Sequence, residues 1–139
     1  MRIQAETAIL SVLETVPLFK QLDQADLLDL ARVATMSEMV DGDLLFGEGD
    51  PADEVVFVIS GSIRLTCEPS DGPEIVVGYV QAGDILGEMA ILDPAPRSAS
   101  ARAAEGAVVL HLPRTSFETF IDDGHPVARV MLVAIRQMM

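Results

Sequence analysis

The residues best suited to chemistry lie in one stretch, residues 83–103, which reads GDILGEMAILDPAPRSASARA. Gly87 lets the backbone come close to a ligand. The short apolar helical turn that follows, which includes Met89 and Ala90, would point free amide N–H groups at that ligand. Arg97 supplies a planar fork of donors that suits a phosphate. The stretch therefore predicts a small anion-binding cradle.

Two further residues narrow the kind of ligand. Ser98 follows the arginine and adds a hydroxyl donor. Glu88 is the unexpected member of the cradle, because a carboxylate repels a phosphate. It fits if it accepts a hydrogen bond from a sugar hydroxyl instead.

Strand-forming segments surround this cradle. Glycine or Asp-Gly turns recur from Gly42 to Gly83, with runs of β-branched residues between them. Short strands separated by such turns predict a β-sandwich or jelly-roll barrel. The predicted strands are Glu54 to Ile59, Ile63 to Cys67, Glu74 to Val80 and Ala107 to Leu112, with a hairpin tip at Ser70 to Pro73.

The N-terminal part of the chain has a helical pattern. Residues 3 to about 15 place apolar side chains at near-helical spacing, and Pro17 ends this helix. Its apolar face packs either on the domain's own flank or against a partner. Asp23 is the predicted N-cap of a second helix.

The pattern becomes helical again after the strands. Thr115 or Ser116 is predicted to cap a short helix that Gly124 ends, and another helix begins near Pro126. This last helix carries an apolar stripe that includes methionines, which is typical of a core or an interface.

These patterns predict one domain that is mostly β with flanking helices (α+β). A chain of 139 residues is the size of a single domain. Its predicted parts are N-terminal helices over 1–33, a β jelly roll over 34–113 that contains the cradle at 83–103, and C-terminal helices over 114–139.

The charge of the chain disfavours direct binding to nucleic acid. Nine Lys and Arg residues stand against 22 Asp and Glu residues, which gives a net charge of −13. A protein that binds a nucleic acid directly needs a positive face. The same charge repels any anionic ligand at long range, so phosphate binding would depend on a local donor set in which Arg97 is the key cation.

Cysteine content and hydropathy indicate the compartment. Cys67 is the single cysteine, which excludes an internal disulfide framework. The sequence contains no apolar run that is long enough for a membrane span and no signal-peptide pattern. We therefore expect a cytoplasmic protein.

Enzyme motifs are absent from the sequence. His111 and His125 are too few for the histidine-rich metal site typical of jelly-roll enzymes, so no metal site is predicted. We find no phosphate-loop motif and no Ser/His/acid pattern. The expectation is a protein without catalytic activity and without a cofactor.

The cradle resembles the phosphate-binding cassette of cyclic-nucleotide-binding domains, which occur in the catabolite activator protein and in protein kinase A regulatory subunits. The matching residues are Leu86-Gly87-Glu88 and Pro96-Arg97-Ser98-Ala99. Residues 42–65 resemble the family's first strands, and Pro17-Leu18-Phe19 and Phe117-Glu118 fit as well.

This resemblance implies a regulatory module that binds cAMP or cGMP. Amides after Gly87, together with Arg97 and Ser98, would hold the cyclic phosphate, and Glu88 would hold the ribose 2′-hydroxyl. It also implies terminal helices that respond to the ligand and form a lid, a homodimer seam or a surface for a partner protein. The base and sugar would be walled by apolar residues that periodicity alone equally assigns to the core: Leu65, Val77 and Leu86.

Two alternatives remain open at this stage. One is an interaction protein of the same fold that binds no nucleotide. The other is the sensor fragment of a transcription regulator, although the sequence contains no helix-turn-helix and no basic face.

Overall fold

The chain folds into two antiparallel β-sheets. Helices precede and follow most of the strands along the sequence. The computed structural model describes residues 2–87 and 95–138. Within them, one sheet has the strand order β1-β2-β9-β4-β7 and the other β3-β8-β5-β6. The strands are β1 (Arg2–Ile3), β2 (Thr35–Met39), β3 (Leu44–Phe46), β4 (Glu54–Ser60), β5 (Ser62–Cys67), β6 (Ile75–Gln81), β7 (Ile85–Leu86), β8 (Ser100–Ala103) and β9 (Ala107–Pro113).

The helices occupy about as many of the described residues as the strands do. This arrangement confirms the predicted jelly-roll-like sandwich with flanking helices. No helix in the described ranges is long and apolar enough to cross a bilayer. The helices are α1 (Glu6–Leu13), a 3₁₀ helix (Pro17–Gln21), α2 (Gln24–Val33), α3 (Arg114–Asp122) and α4 (Pro126–Met138).

The N-cap prediction was correct for α2 and wrong for α3. A carboxylate oxygen of Asp23 accepts a hydrogen bond from the Asp26 amide at 2.9 Å, which satisfies one of the free N–H groups of the first turn. Helix α3 begins at Arg114, so Thr115 and Ser116 lie inside the helix. Strand β9 runs up to Pro113 and turns directly into the helix, which leaves no separate capping residue.

Strand β4 divides the core into two clusters, because its side chains alternate between opposite faces. Val55 and Phe57 pack in a cluster with the helices. Val56 and Val58 pack in a second cluster that joins the two sheets. The core therefore fixes the position of Val55 to Val58 from both faces.

Candidate functional site

The structure brings together two residues of the predicted cradle, Gly87 and Arg97. Gly87 directly follows β7 and has a φ of +85°, in the left-handed region that favours glycine. A Cβ added at Gly87 would lie 2.5 Å from Nη1 of Arg97 and 2.9 Å from the carbonyl oxygen of Glu54. Position 87 therefore has to be glycine if the Arg97 guanidinium is to keep this place.

Arg97 is held by the segment that joins β3 to β4. Its side chain is almost fully buried, and Nη2 donates to the carbonyl oxygen of Glu54 at 2.8 Å. The guanidinium carbon lies 4.1 Å from the centre of the Phe46 ring, within the range of a cation–π contact. The Arg97 backbone donates to the Asp50 carbonyl and accepts from the Gly49 amide, both at 2.8 Å. Both the backbone and the side chain of Arg97 are thus fixed.

The three predicted wall residues have different environments. Leu86 pairs with Val56 and is buried in the cluster between the sheets. Leu65 is partly buried against the same cluster. Val77 is 52% exposed on β6, an edge strand, so its side chain is open to a ligand as well as to solvent.

The remaining cradle residues are described only in part. Ser98 is exposed, and its carbonyl oxygen accepts from the thiol of Cys67 at 3.3 Å. Glu88, Met89 and Ala90 lie outside the described residues.

The sequence did not indicate four residues around the cradle. Phe46, Asp50 and Glu54 contact Arg97, and Arg2 contacts Glu54. Glu54 is the most connected of them. Its carboxylate accepts two hydrogen bonds from the guanidinium of Arg2, at 2.6 and 2.8 Å. A glutamate at the start of a predicted strand and an arginine near the start of the chain carry no sequence signal of this contact, because they are far apart in the chain.

The same carboxylate lies beside a buried histidine. Nδ1 of His111 is 3.4 Å from a carboxylate oxygen of Glu54. His111 and the shorter bonds from Arg2 together lower the pKa of Glu54 from 4.5 to about 2. In return, the carboxylate raises the pKa of Arg2. Glu54 is therefore ionised throughout the physiological pH range.

A cavity of about 240 Å³ opens beside Arg97 on the side of the β3–β4 segment. Asp50, Asp53 and Glu54 are among the residues that line it. Three acidic residues make this cavity unsuited to a phosphate.

The fold assembles a Ser/His/acid arrangement that the sequence did not reveal. Oγ of Ser37 lies 2.7 Å from Nε2 of His111, whose other nitrogen faces Glu54. Ser37 is buried in the middle of β2, where it pairs with Arg2 on one side and Val109 on the other. We interpret this network as structural.

One group of side chains in the described ranges has the spacing of a metal site, namely Asp26, Asp29 and His125. Nδ1 of His125 accepts from the Val127 amide, so the proton of the neutral ring sits on Nε2, which faces Asp29 at 3.0 Å. A nitrogen that carries a proton cannot ligate a metal ion. The group therefore joins α2 to the start of α4 and is not a preformed metal site.

Comparison with known proteins identifies the cradle region with one family. Residues 37–123 match the family model described as the cyclic nucleotide-binding domain. The CRP-like cAMP-activated global transcriptional regulator of Mycobacterium tuberculosis is 29% identical over 91 residues, which cover 66% of this chain and 41% of the regulator. The cAMP-dependent protein kinase regulatory subunit of Emericella nidulans is 33% identical over 119 residues, which cover 86% of this chain and 27% of the subunit.

Solved structures agree on the fold. A cyclic nucleotide-binding domain from Methylobacillus flagellatus has a TM-score of 0.71 at 23% identity, and the match covers 95% of this chain and 74% of that one. The chain spans less than half the length of the two curated relatives. The family match begins inside β2 and extends past α3, so it contains both Gly87 and Arg97.

Proposed function

The chain belongs to the cyclic nucleotide-binding domain family, and from this premise we propose that it is a regulatory module that binds cAMP or cGMP. The observation that carries the proposal is the contact between Gly87 and the Arg97 guanidinium. It places a buried cation beside a backbone position that only glycine can occupy. We propose that the cyclic phosphate binds to this cation.

The proposed roles of the cradle residues follow from their chemistry. Arg97 neutralises the cyclic phosphate, and Ser98 and the amides after Gly87, at Glu88, Met89 and Ala90, donate to its oxygens. The carboxylate of Glu88 accepts from the ribose 2′-hydroxyl. Charge-assisted hydrogen bonds contribute about 1.5–3 kcal/mol each, so two or three of them with base burial support a micromolar Kd.

Binding would be transmitted to the terminal helices. Helix α4 contacts α2 and the 3₁₀ helix, so these three elements form one helical layer against the sheet. A ligand shifts an equilibrium between two arrangements only by binding one of them more tightly. We propose that closure of the cradle around the nucleotide repositions this layer, which then acts on a partner or on a second copy of the chain.

We also propose that this module senses and does not catalyse. Regulators and kinase subunits are among its relatives, and Ser37 is buried within paired strands. No direct contact with nucleic acid is proposed, because the net charge is −13.

Calorimetry with cAMP and cGMP tests the proposed function. We expect saturable binding of at least one nucleotide, and a loss of affinity of about 100-fold or more in Arg97→Ala, since two charge-assisted bonds are removed. Arg102→Ala is the matched control, because Arg102 lies in the same stretch but donates to the Gly42 carbonyl. Its affinity should stay within about twofold of the wild type.

Circular dichroism would establish that both variants fold. Absence of binding to either nucleotide by the folded wild-type protein would contradict the proposal. It would leave the nucleotide-independent interaction protein, which recovery of a ligand-independent complex would support.

A further inference from the structure

Glu54 links the cradle arginine to the N-terminal strand. Its carbonyl oxygen accepts from Arg97 at 2.8 Å, while its carboxylate accepts two bonds from Arg2 of β1. One residue at the start of β4 therefore binds two guanidinium groups, one through its backbone and one through its side chain. A displacement of the Glu54 backbone would therefore change both contacts.

Strand pairing at this end of β4 runs through the residue before Glu54, since the Arg114 amide donates to the Asp53 carbonyl at 2.8 Å. Glu54 itself lies opposite Pro113 in the register, and its carbonyl oxygen accepts from Arg97. The segment before Glu54 is an irregular connection from β3, with Asp50 and Asp53 exposed. The side chain of Glu54, bound by Arg2 and next to the buried His111, adds a second attachment to this end of the strand.

The strand β1 depends on the same contact. It has two residues, which pair with Ser37 and Met36 at the edge of the sheet. A strand of this length contributes little by itself, so the two bonds from Arg2 to Glu54 hold it in place. Helix α1 begins three residues after β1, at Glu6, which connects this contact to the N-terminal helices.

We infer that Arg2 is a positioning residue for the nucleotide site, acting through Glu54 to hold the Arg97 guanidinium against Gly87. This inference rests on the proposed function of the cradle. Coupling between two sites is reciprocal. Loss of the Arg2 contact therefore weakens nucleotide binding, and bound nucleotide tightens the attachment of β1. The N-terminal strand becomes a second route, beside α4, by which the ligand acts on the helices.

The binding test compares Arg2→Gln, Arg2→Lys and Arg32→Gln by calorimetry with cAMP and cGMP. Arg2→Gln should weaken binding by about fivefold or more, the lower range of measured couplings. Arg2→Lys should recover part of the affinity, because it keeps the charge but not the two-pronged contact. Arg32→Gln removes an exposed arginine that pairs with Glu6 and Asp29 on the helices, and its affinity should not change.

A double-mutant cycle separates positioning from a general loss of stability. Arg97→Lys keeps a cation in the cradle but loses the bond geometry to the Glu54 carbonyl. In that background Arg2→Gln should have little further effect on the Kd, because the group through which it acts is gone. If Arg2→Gln lowers the nucleotide affinity equally in the wild type and in Arg97→Lys, the inference is overturned.

A readout without ligand keeps this test independent of the proposed function. The NMR signal of the Arg97 side-chain Nε–H should shift in Arg2→Gln and stay in place in Arg32→Gln. An unchanged signal in both would reject the positioning role whatever the nucleotide does. A shifted signal in a protein that binds neither nucleotide would reject the proposed function and keep the link from Arg2 to Arg97.

Discussion

Gly87 and Arg97 depend on each other at the level of single atoms. The guanidinium occupies the space that a side chain at position 87 would need. The glycine is required for its backbone conformation as well, since its φ is +85°. Any substitution at Gly87 therefore has two costs. The strained backbone conformation is independent of the cradle, whereas the clash with the Arg97 guanidinium disturbs it.

The variant Gly87→Ala tests this mutual dependence. The left-handed backbone should cost about 1–2 kcal/mol of stability, and the new methyl group should displace the Arg97 side chain. We expect a lower free energy of unfolding in urea, together with a loss of nucleotide affinity of about tenfold or more.

Gly42→Ala is the matched control for backbone strain. Gly42 has a φ of +88°, and a Cβ added there meets nothing within 4 Å. Gly42→Ala should lose about as much stability as Gly87→Ala and should keep the nucleotide affinity of the wild type. If both variants bind the nucleotide equally well, the contact between Gly87 and Arg97 has no part in recognition.

At the scale of elements, the site is built by connections between strands. Gly87 directly follows β7, the β3–β4 segment holds Arg97, and β4 supplies Glu54. The helices add the layer that would move. Helix α2 is important in that layer because it packs against both α1 and α4, and a side-chain cap secures its start.

The variant Asp23→Ala tests the start of α2. Removal of a side-chain N-cap costs about 1 kcal/mol, because the Asp26 amide loses its acceptor. We expect a lower thermal midpoint by circular dichroism. Asp23→Asn keeps an acceptor oxygen and should stay close to the wild type. A fall of equal size in both variants would mean that charge, not capping, stabilises this end of the helix.

At the scale of the whole molecule, the global charge and the local site oppose each other. The net charge of −13 repels nucleotides, whereas Arg97 lies buried and close to a position without a side chain. Burial strengthens a local cation because solvent screens it less. Under the proposed function, nucleotide binding would therefore depend on a few groups held by the fold.

The acid stability of the molecule should report the state of Glu54. Its pKa is lowered from 4.5 to about 2, so the unfolded chain takes up its proton at a higher pH than the folded chain. This contribution to stability is fully present above about pH 4.5 and is lost as the pH falls towards 2. Glu54→Gln should be less stable than the wild type at pH 7, with the difference narrowing across this window.

Urea unfolding at pH 7, 4 and 3 measures this difference. Glu105→Gln, at an exposed position, controls for the loss of one negative charge. Parallel stability curves for the wild type and Glu54→Gln would show that the carboxylate contacts contribute nothing that depends on its ionisation.

Local patterns predicted much of the fold. The runs from Glu54 and Ala107 predicted β4 and β9, because β-branched residues between turns favour extended backbone. Asp23 predicted the start of α2 through its local hydrogen bond. The short strands β1, β2, β3, β7 and β8 were not predicted individually, since two to five residues carry too little periodicity.

The sequence by itself determined which groups are available to a ligand: the glycine, the arginine, the serine and their order along the chain. It also determined the helix–barrel–helix arrangement, because those signals come from neighbouring residues. Only the tertiary structure decided that Arg97 meets Gly87, and that Glu54 holds both Arg97 and Arg2. Such contacts join residues tens of positions apart, and their geometry is set by strand register and core packing, which no local pattern contains.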